Sequence, residues 1–405
     1  MIDELRKQSP LEGVRVVELG NFIAAPFMGR LLADYGAEVI KVEMPEQGDS
    51  IRKWGNKVEK NKSIWWSTQS RNKKCVTLNL KTARGQEIAR QLCKTANIVV
   101  ENFRPGTLEK WKLGYEDLKK IHPKLIMVRI SGFGQDGPYS NRAGFGSVGE
   151  AMGGIRYVTG YPDLPPPRVG ISIGDSVAAM FGALGAMVAL YHQKQHNDEQ
   201  GQLIDVALYE SVFALMENAI GEYYKYGIIK ERTGTILPKV APSNAYMTKD
   251  QKWVIIAANA DNIFNRLTEA IGHPEWKDDS RFCTHEARGE HQQELDDLIA
   301  QWTASKPLSE VMEIMDSHAI PSGPIYSIAD IAKDPHYHYR DMIQKIEDED
   351  LGEVHMPGIV PKLSRTPGNL NWAGPRLGAH NKEIYEGLLD FSEQELEQLK
   401  REGVI

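Results

Sequence analysis

A strand–helix–strand pattern near the N-terminus constrains the fold of this chain more than any other feature. Val14–Leu19 is predicted to be a strand, 24–35 a helix and 36–43 a second strand. This order and spacing is typical of a βαβ unit, which requires parallel strands. The pattern continues with a helix at 85–94, a strand at 98–101, a helix at 115–121 and a strand at 125–130. We therefore predict an α/β fold whose large domain has a Rossmann-like parallel sheet.

The loop after the first predicted strand does not carry a dinucleotide fingerprint. Gly20–Pro26 contains no G-x-G-x-x-G pattern, the sequence that brings backbone close to a pyrophosphate. A nicotinamide or flavin dehydrogenase therefore lacks its main sequence support. The fold is expected to be Rossmann-like with a different ligand.

The second half of the chain predicts a smaller α+β domain. A strand at 201–208 leads into a helix predicted to reach 224, and 227–245 is predicted to be a linker. Beyond it are a strand at 253–258 and helices at 263–271, 291–303 and 308–317, with a turn or bulge at 320–325. We expect a large domain at 1–215, a small domain at 235–330 and a C-terminal segment at 340–405.

Composition excludes several functional classes. The 405 residues carry a net charge of −7, which argues against nucleic acid as the main partner. The first seven residues do not resemble a targeting peptide, and the longest apolar run, 177–190, is short for a bilayer span. The three cysteines and the histidines show no metal-ligand spacing. These features predict a cytoplasmic protein without a metal centre or a membrane partner.

Asp175 stands directly before the apolar run 177–190, which is predicted to be a helix buried on most faces. A carboxylate at a helix N-terminus has its pKa lowered by the helix dipole, so Asp175 is expected to be ionised at neutral pH. Gly174 is expected to leave room for a bulky ligand. Asp followed by Ser is equally an ordinary N-cap pattern. The local sequence leaves a structural cap and a catalytic carboxylate both open.

Several motifs together resemble the class III CoA-transferase family over nearly the whole chain. They are Pro10–Val17, Gly36–Glu43, Asn72–Lys74, Val100–Gly106, Ser131–Pro138, Gly174–Asp175 and Ser322–Pro324. No single motif is decisive, but their order and spacing are specific to the family.

The resemblance implies that Asp175 is the nucleophile of a CoA-transferase. Its carboxylate would attack an acyl-CoA thioester to form an aspartyl anhydride, which CoA thiolate would convert to an enzyme-bound thioester. The acceptor carboxylate would enter through a second anhydride. Covalent catalysis of this kind conserves the energy of the acyl bond, so ATP is not required. CoA and its esters would be substrates, and no tightly bound cofactor is expected.

The resemblance also implies a set of CoA contacts. Phe22 and Ile23 follow the first strand and correspond to the pair that contacts the nucleotide end of CoA. Lys110 falls where a basic residue contacts phosphate. Further residues on segments that line the CoA groove in the family are Lys73, Leu78, Lys81, Asn102, Phe103 and Arg104. Any one of these lysines is equally explained as a solvated surface charge.

The chain departs from the family pattern at two places. Met44 replaces an arginine that many relatives carry, which removes one expected CoA contact. Phe145-Gly146 replaces a common Tyr-Asp or Tyr-Glu pair, and racemases of the family carry His-Asp there. Phe145 cannot transfer a proton, which weakens the 2-methylacyl-CoA racemase alternative. The segment 257–262 occupies the place of a mobile glycine-rich loop but contains no glycine.

The sequence around Asp175 looks most like the branch of the family that transfers CoA from succinyl-CoA to dicarboxylates. Arginines that could bind the distal carboxylate are Arg52, Arg71, Arg142 and Arg168. No aromatic or acidic cage for carnitine is recognised. A non-catalytic acyl-CoA-binding protein is a further alternative. The resemblance also implies an interlocked ring homodimer, with linkers at 215–235 and 330–345 and a C-terminal tail that returns to the large domain.

Overall fold

The computed structural model describes residues 9–405, so the first seven residues, whose composition argues against a targeting peptide, lie outside it. The chain forms two compact units. The first comprises the chain up to Ile155 together with Val169–Gly221 and His336–Ile405, and the second comprises Arg156–Arg168 and Glu222–Pro335.

The strands and helices alternate through most of the chain. In chain order, the strands are β1 (Arg15–Glu18), β2 (Glu38–Glu43), β3 (Val58–Glu59), β4 (Lys62–Ser63), β5 (Lys73–Thr77), β6 (Ile98–Glu101), β7 (Ile126–Ser131), β8 (Leu203–Ala207), β9 (Ser243–Met247), β10 (Trp253–Ala257), β11 (Ser322–Pro324), β12 (Ile343–Asp348) and β13 (Gly352–Pro357). The helices are α1 (Ala24–Asp34), α2 (Ile64–Gln69), α3 (Ala83–Lys94), α4 (Thr107–Lys110), α5 (Tyr115–Ile121), α6 (Gly146–Met152), α7 (Ile155–Val158), α8 (Ile173–His196), α9 (Leu208–Phe213), α10 (Ala219–Tyr226), α11 (Asp261–Ala270), α12 (His285–Glu290), α13 (Gln292–Ala304), α14 (Leu308–Ser317), α15 (Ile328–Ile331), α16 (Pro335–Tyr339), α17 (Asn381–Tyr385) and α18 (Glu393–Arg401). Short 3₁₀ segments lie at Ser50–Lys53 and Pro274–Asp278.

The first unit is built on a six-stranded sheet in the order β5-β2-β1-β6-β7-β8. Every neighbouring pair in it is parallel. This confirms the predicted α/β fold with a parallel sheet. The edge strand β5 was not predicted, because it begins with two lysines and lacks a continuous apolar run.

Side chains of the central strands alternate between two cores, as the pleat requires. Val17 and Ile40 point into one core, which α3, α5, α17 and α18 help to form. Val16 and Val39 point into the other, formed with α1 and α8. Helices on both faces therefore bury the sheet, which explains its nearly continuous apolar strands.

The C-terminal segment packs against the β5 edge of the first unit. The Tyr385 hydroxyl donates to the Thr77 carbonyl at 2.7 Å, and the Cys75 amide donates to His380 Nδ1 at 3.1 Å. Helix α16 occupies 335–339, and β12 begins at Ile343. These hydrogen bonds join the C-terminal segment to the edge strand β5.

The second unit contains an antiparallel sheet in the order β11-β10-β9. Helices α11, α13 and α14 cover it around a core that includes Phe264 and Leu295. The segment 156–168, which the predicted boundary at 215 assigned to the large domain, belongs to this unit. Its backbone is held there because Gly234 N–H donates to the Gly160 carbonyl at 2.9 Å.

Helix α8 is less buried than its composition predicts. Its small residues, such as Ala179 and Ala186, pack on the sheet, whereas Leu184, Val188 and Tyr191 are between 59% and 69% exposed. The expectation of burial on most faces is therefore wrong for the single chain. Among residues 9–405, α8 is the one helix with the length and hydropathy of a membrane span, a property that core helices of soluble proteins share.

The helix expected to continue to residue 224 is interrupted. Helix α9 ends at Phe213 and α10 begins at Ala219. Between them Glu217 has a left-handed backbone with φ of 50°, which a continuous right-handed helix does not allow. The interruption lies close to the boundary between the two units.

Candidate active site

Asp175 is the third residue of α8, not its cap. The N-cap position is Ser172, which makes no side-chain cap hydrogen bond. Among residues 9–405, the Asp175 carboxylate takes part in no hydrogen bond or ion pair, and the side chain is only partly buried. The structural-cap interpretation is therefore wrong, and the carboxylate remains available for chemistry.

The carboxylate lies directly against the first residue of α6. A Cβ atom placed on Gly146 would lie 2.0 Å from Asp175 Oδ2 and 2.6 Å from its Cγ. A Cβ on Gly174 would lie 2.9 Å from the Gly146 carbonyl oxygen and 3.1 Å from Glu150 Cγ. Gly174 therefore allows α6 and α8 to approach closely, and the expectation that it opens space for a ligand is wrong.

Burial, and to a smaller extent the neighbouring Glu150 carboxylate, raises the pKa of Asp175 to about 6. The expected lowering by the helix dipole is wrong, because removal from water outweighs it here. The carboxyl is still about nine-tenths ionised at pH 7 with such a pKa. The expectation of a nucleophile that is ionised at neutral pH is thus consistent with the structure.

Glu150 is a residue of this site that sequence reasoning missed. It is buried on α6, four positions after Gly146, and Gly174 N–H points to its Oε1 at 3.5 Å. An acidic residue in the otherwise uncharged helix Gly146–Met152 was the signal that could have identified it. Residues four apart lie on the same helix face, so Glu150 follows Gly146 toward α8.

Three aromatic side chains form an aromatic wall beside this helix start: Phe22, Trp54 and Phe145. The Phe22 ring centroid lies 5.6 Å from that of Trp54 and 5.9 Å from that of Phe145. Phe145 is 63% exposed, although it is apolar. The predicted CoA-contacting loop and the residue before Gly146 are thereby brought together.

The Phe22 loop is fixed in an uncommon conformation. Phe22 has a left-handed backbone with φ of 67°, and its N–H donates to the Asp49 carboxylate at 3.2 Å. The side chain of Asn102 braces the preceding residue, since it accepts from Asn21 N–H at 2.9 Å and donates to the Asn21 carbonyl at 2.8 Å. Ile23 is buried just before α1. Asn102 therefore shapes this loop.

A buried ionic cluster, Glu18, Lys41, Asp49 and Lys73, lies under this loop. Lys41 Nζ is 2.9 Å from both Glu18 and Asp49, and Lys73 Nζ is 2.8 Å from Glu18. Lys73 also donates to the Pro26 carbonyl at 2.7 Å. All four side chains are almost completely buried. The expectation that Lys73 lines the CoA groove is therefore wrong for its ammonium group, which the core holds.

Leu78 is also placed in the core. It is buried among apolar residues of the first unit, and its N–H donates to the Glu43 carbonyl at 2.7 Å. The structure does not support a direct CoA contact from its side chain. Phe103 is partly buried and packs edge-on against Trp111, with ring centroids 5.4 Å apart.

The remaining predicted cations are at the surface. Lys81, Arg104 and Lys110 are exposed and form no ion pair within residues 9–405. The loops after β1, β5 and β6, which carry Phe22, Lys81 and Arg104, all leave the carboxyl edge of the same parallel sheet. Ligands of open α/β sheets bind at this edge.

Two of the four arginines suggested for a distal carboxylate are structural. Arg52 pairs with Glu43 at 2.8 Å and Arg71 pairs with Asp34 at 2.7 Å, and all four side chains are buried. The suggestion is wrong for both. Arg142 is different, since it is exposed and its guanidinium lies 3.6 Å from the centre of a tyrosine ring.

The segment 257–262 lies in the second unit and is ordered by defined contacts. Arg288 donates to the Asn259 carbonyl at 2.9 Å and forms an ion pair with Asp261 at 2.5 Å. Asp261 is the first residue of α11. A shielding role for this loop stays a prediction.

Comparison with known proteins gives matches over nearly the whole chain. The family model for CoA-transferase family III matches residues 11–381. The chain is 54% identical over 400 residues to a succinyl-CoA–D-citramalate CoA-transferase from Chloroflexus aurantiacus, covering 99% of both proteins. It is 40% identical over 399 residues to the beta subunit of a succinyl-CoA–L-malate CoA-transferase from the same organism, covering 98% of both.

A solved structure shows the same fold. A CAIB/BAIF family protein from Brucella suis superposes with a TM-score of 0.84 at 33% identity, covering 94% of this chain and 100% of that one. The resemblance inferred from the motifs is therefore confirmed, and the racemase and non-catalytic alternatives are not favoured. The chain belongs to CoA-transferase family III and is a CoA-transferase.

Proposed function

We propose that this enzyme transfers CoA from succinyl-CoA, or a similar short acyl-CoA, to a dicarboxylate, with Asp175 as the nucleophile. The observation that carries the proposal is the position of Asp175: a partly accessible carboxylate at the start of α8, near the aromatic wall and with no cationic partner among residues 9–405. The names of the two Chloroflexus relatives support the donor and the acceptor class.

The first half-reaction begins with attack of an Asp175 carboxylate oxygen on the thioester carbonyl. The carbon–sulfur bond breaks, CoA leaves as a thiolate and an aspartyl anhydride remains. The thiolate then attacks Cγ of Asp175, which releases the donor acid as a carboxylate and leaves an aspartyl-CoA thioester. A pKa near 6 suits this role, because the carboxyl is ionised at pH 7 and is more basic than an ordinary aspartate.

The second half-reaction reverses these steps with a new acid. The acceptor carboxylate attacks Cγ of the thioester, CoA thiolate leaves and a second anhydride forms. The thiolate attacks the acceptor carbonyl, which makes the product thioester and frees the Asp175 carboxylate. Water would intercept both anhydrides, so the partly buried setting of Asp175 favours transfer over hydrolysis.

Recognition of CoA is proposed at the carboxyl edge of the large sheet. Phe22 presents backbone and apolar surface to the nucleotide, the buried Ile23 contributes through its backbone only, and Lys81, Arg104 and Lys110 offer exposed cations to its phosphates. Asn102 and the buried ionic cluster act indirectly, since they hold the Phe22 loop. Lys73 contributes through that cluster, not through phosphate contact.

Arg142 is the proposed partner for the distal carboxylate of the acceptor. It lies in the segment that leads to Phe145 and Gly146, and stacking on Tyr139 orients its guanidinium. A planar guanidinium binds a carboxylate through two parallel hydrogen bonds. Arg142→Ala should raise KM for dicarboxylates much more than KM for a monocarboxylate of similar length.

We also propose that the enzyme is a cytoplasmic homodimer of the interlocked kind. The exposed apolar residues of α8, such as Leu184 and Val188, support burial of this face by a second chain. Light scattering of the purified protein should give twice the mass of one chain. A monomer at assay concentration would contradict this part of the proposal.

The central experiment traps the intermediate. The protein is incubated with succinyl-CoA, treated with hydroxylamine and digested, and the peptide containing Asp175 is examined by mass spectrometry. A hydroxamate on Asp175 is expected, and it should be absent from Asp175→Asn and present in the control Asp163→Asn, whose carboxylate is exposed. An unmodified Asp175 peptide in active wild-type protein would refute the proposal.

Two further assays define the reaction. A panel of acyl-CoA donors and mono- and dicarboxylates, resolved by chromatography of the CoA products, identifies the substrates. Incubation of a 2-methylacyl-CoA in deuterated water should give no exchange of the α-proton, because Phe145 offers no proton carrier. Exchange at the rate of transfer would favour the racemase alternative.

A further inference from the structure

A buried arginine, Arg129, holds both ends of the loop between β6 and α4. It lies on β7, is 4% exposed and is the register partner of Glu101, the last residue of β6. Its Nε donates to Glu101 Oε1 at 2.6 Å. Its Nη1 and Nη2 donate to Oε1 and Oε2 of Glu109 at 2.5 and 3.3 Å. One guanidinium therefore joins the end of β6 to α4.

The loop between these two carboxylates carries proposed CoA contacts. Phe103 and Arg104 lie within it, and Lys110 follows Glu109 directly. Phe103 N–H donates to Glu101 Oε2 at 2.6 Å. Arg104 and Lys110 are both exposed. A change in the position or charge of the two carboxylates therefore acts on the groups that are proposed to meet the phosphates.

Arg129 also sets the charge of this part of the molecule. Residues 101–110 contain two glutamates, one arginine and one lysine, so they carry no net charge by themselves. With the Arg129 guanidinium the total is +1. Ion pairing holds the Glu109 carboxylate against β7, although this side chain is 46% exposed. Without Arg129, that carboxylate would be released beside Lys110 and would repel a phosphate.

We infer that Arg129 is a positioning residue for CoA: by pairing with Glu109 it withdraws a carboxylate from the phosphate-binding surface and leaves Arg104 and Lys110 as its charges. The inference rests on the proposed CoA contacts of these two cations and adds a residue that is itself buried. Arg129 therefore affects affinity for the phosphorylated nucleotide. It affects neither the attack by Asp175 nor binding of the pantetheine arm.

The test uses paired variants, because Arg129→Met alone would strand a buried charge. Burial raises the pKa of Glu101 to about 7, and the Arg129 guanidinium opposes that rise. A buried carboxylate that has lost its partner destabilises a protein. Arg129→Met/Glu101→Gln instead replaces the buried pair by two neutral side chains, and an amide oxygen at position 101 still accepts the Phe103 N–H. Adding Glu109→Gln gives a triple variant that differs from this double variant in one surface charge.

The measurements are Kd for CoA by isothermal titration calorimetry, and kcat/KM for succinyl-pantetheine, which lacks the nucleotide and every phosphate. In the double variant, Kd for CoA should rise about 10-fold, because the unpaired Glu109 opposes the phosphate contacts. In the triple variant, Kd should return to within about 3-fold of wild type. The value of kcat/KM for succinyl-pantetheine should change less than about 3-fold in both.

Arg71→Met/Asp34→Asn is the matched control, because it replaces another buried arginine–carboxylate pair of the same unit. It should lower Tm and leave Kd for CoA within about 2-fold of wild type. An unchanged Kd for CoA in the Arg129 double variant would overturn the inference. A raised Kd that Glu109→Gln does not reverse would overturn it as well, since the buried pair would then serve the fold only.

Arg104→Ala and Lys110→Ala, measured in parallel, judge the proposed phosphate contacts separately. If both variants bind CoA as wild type does, those contacts fail and the inference fails with them. If they weaken binding while the Arg129 double variant binds normally, only the role of Arg129 fails. Weakened binding in all three, with recovery in the triple variant, supports both.

Discussion

Glu18 and Asp175 are two carboxylates of the same unit with opposite surroundings. Glu18 is completely buried, yet the ammonium groups of Lys41 and Lys73 lie 2.9 and 2.8 Å from it. Asp175 is less buried, but no cation accompanies it within the part of the chain that the structure describes, and burial and Glu150 raise its pKa. A buried charge that is neutralised on both sides serves the fold, whereas one left without a counter-ion is a candidate for chemistry.

The two regions are nevertheless connected. Lys41 bridges Glu18 to Asp49, and Asp49 accepts the N–H of Phe22. A left-handed backbone costs a non-glycine residue roughly 1 kcal/mol, which this hydrogen bond offsets. Phe22 in turn contacts Phe145, the residue before Gly146. The ionic cluster thus holds the backbone of Phe22, whose ring belongs to the aromatic wall of the site.

The largest change in stability is expected from a substitution in the buried ionic cluster around Glu18. Glu18→Gln leaves Lys73 without its carboxylate partner and should destabilise the protein by about 3–5 kcal/mol, measured by denaturant unfolding. Glu12→Gln, at an exposed carboxylate, is the control and should change stability by less than about 0.5 kcal/mol. A loss below about 1 kcal/mol for Glu18→Gln would mean that the cluster is not needed for stability.

Asp175→Asn is expected to stabilise the protein at pH 8, whereas Glu18→Gln destabilises it. The folded pKa of about 6 exceeds the ordinary value of 3.8, so ionisation destabilises the fold above pH 6. This penalty declines as the pH falls from 6 to 3.8 and is absent below that range. With allowance for partial exposure, we expect the variant to gain about 1–2 kcal/mol at pH 8 and nothing at pH 3.5. Destabilisation at pH 8 would contradict the account.

The smallest effect concerns the acid limb of activity. Because an ionised Asp175 is required for attack, kcat/KM should fall as the pH drops through about 6. Glu150→Gln removes a neighbouring negative charge and should move this limb to lower pH. Values of kcat/KM for the donor, measured across pH 4.5–8 in parallel for both proteins, test this. If the acid limb of Glu150→Gln is the same as that of wild type, the raised pKa of Asp175 is due to burial alone.

Much of the fold was predictable because the signals are local. The apolar runs around Val17 and Ile40 predict two strands that are buried on both faces of the sheet. The order of the motifs predicts the family. The edge strand at Lys73–Thr77 was missed, because a buried lysine is recognisable only when its partner Glu18 is known to lie beside it. That partner is 55 positions away in the sequence.

The sequence identifies the candidate nucleophile but not the surroundings that set its pKa. Asp175 could be selected from its position before an apolar helix and from the family motifs. The sign of its pKa shift could not be predicted. The shift depends on burial and on the neighbouring Glu150, and both are known only once the packing of α6 on α8 is known. The close contact between Gly146 and the Asp175 carboxylate has the same origin, since two separate helix starts must meet to form it.

The arrangement of the cores has a consequence for biosynthesis. Apolar residues of the second unit that form its core all lie between Ala241 and Ile320, whereas the first unit packs Val17 and Val76 against Ile384 and residues beyond it. A ribosome therefore releases everything the second unit's core needs while the first still lacks part of its interior. During that interval the nascent chain exposes apolar surface that later residues will cover, so chaperone binding should increase the yield of folded protein.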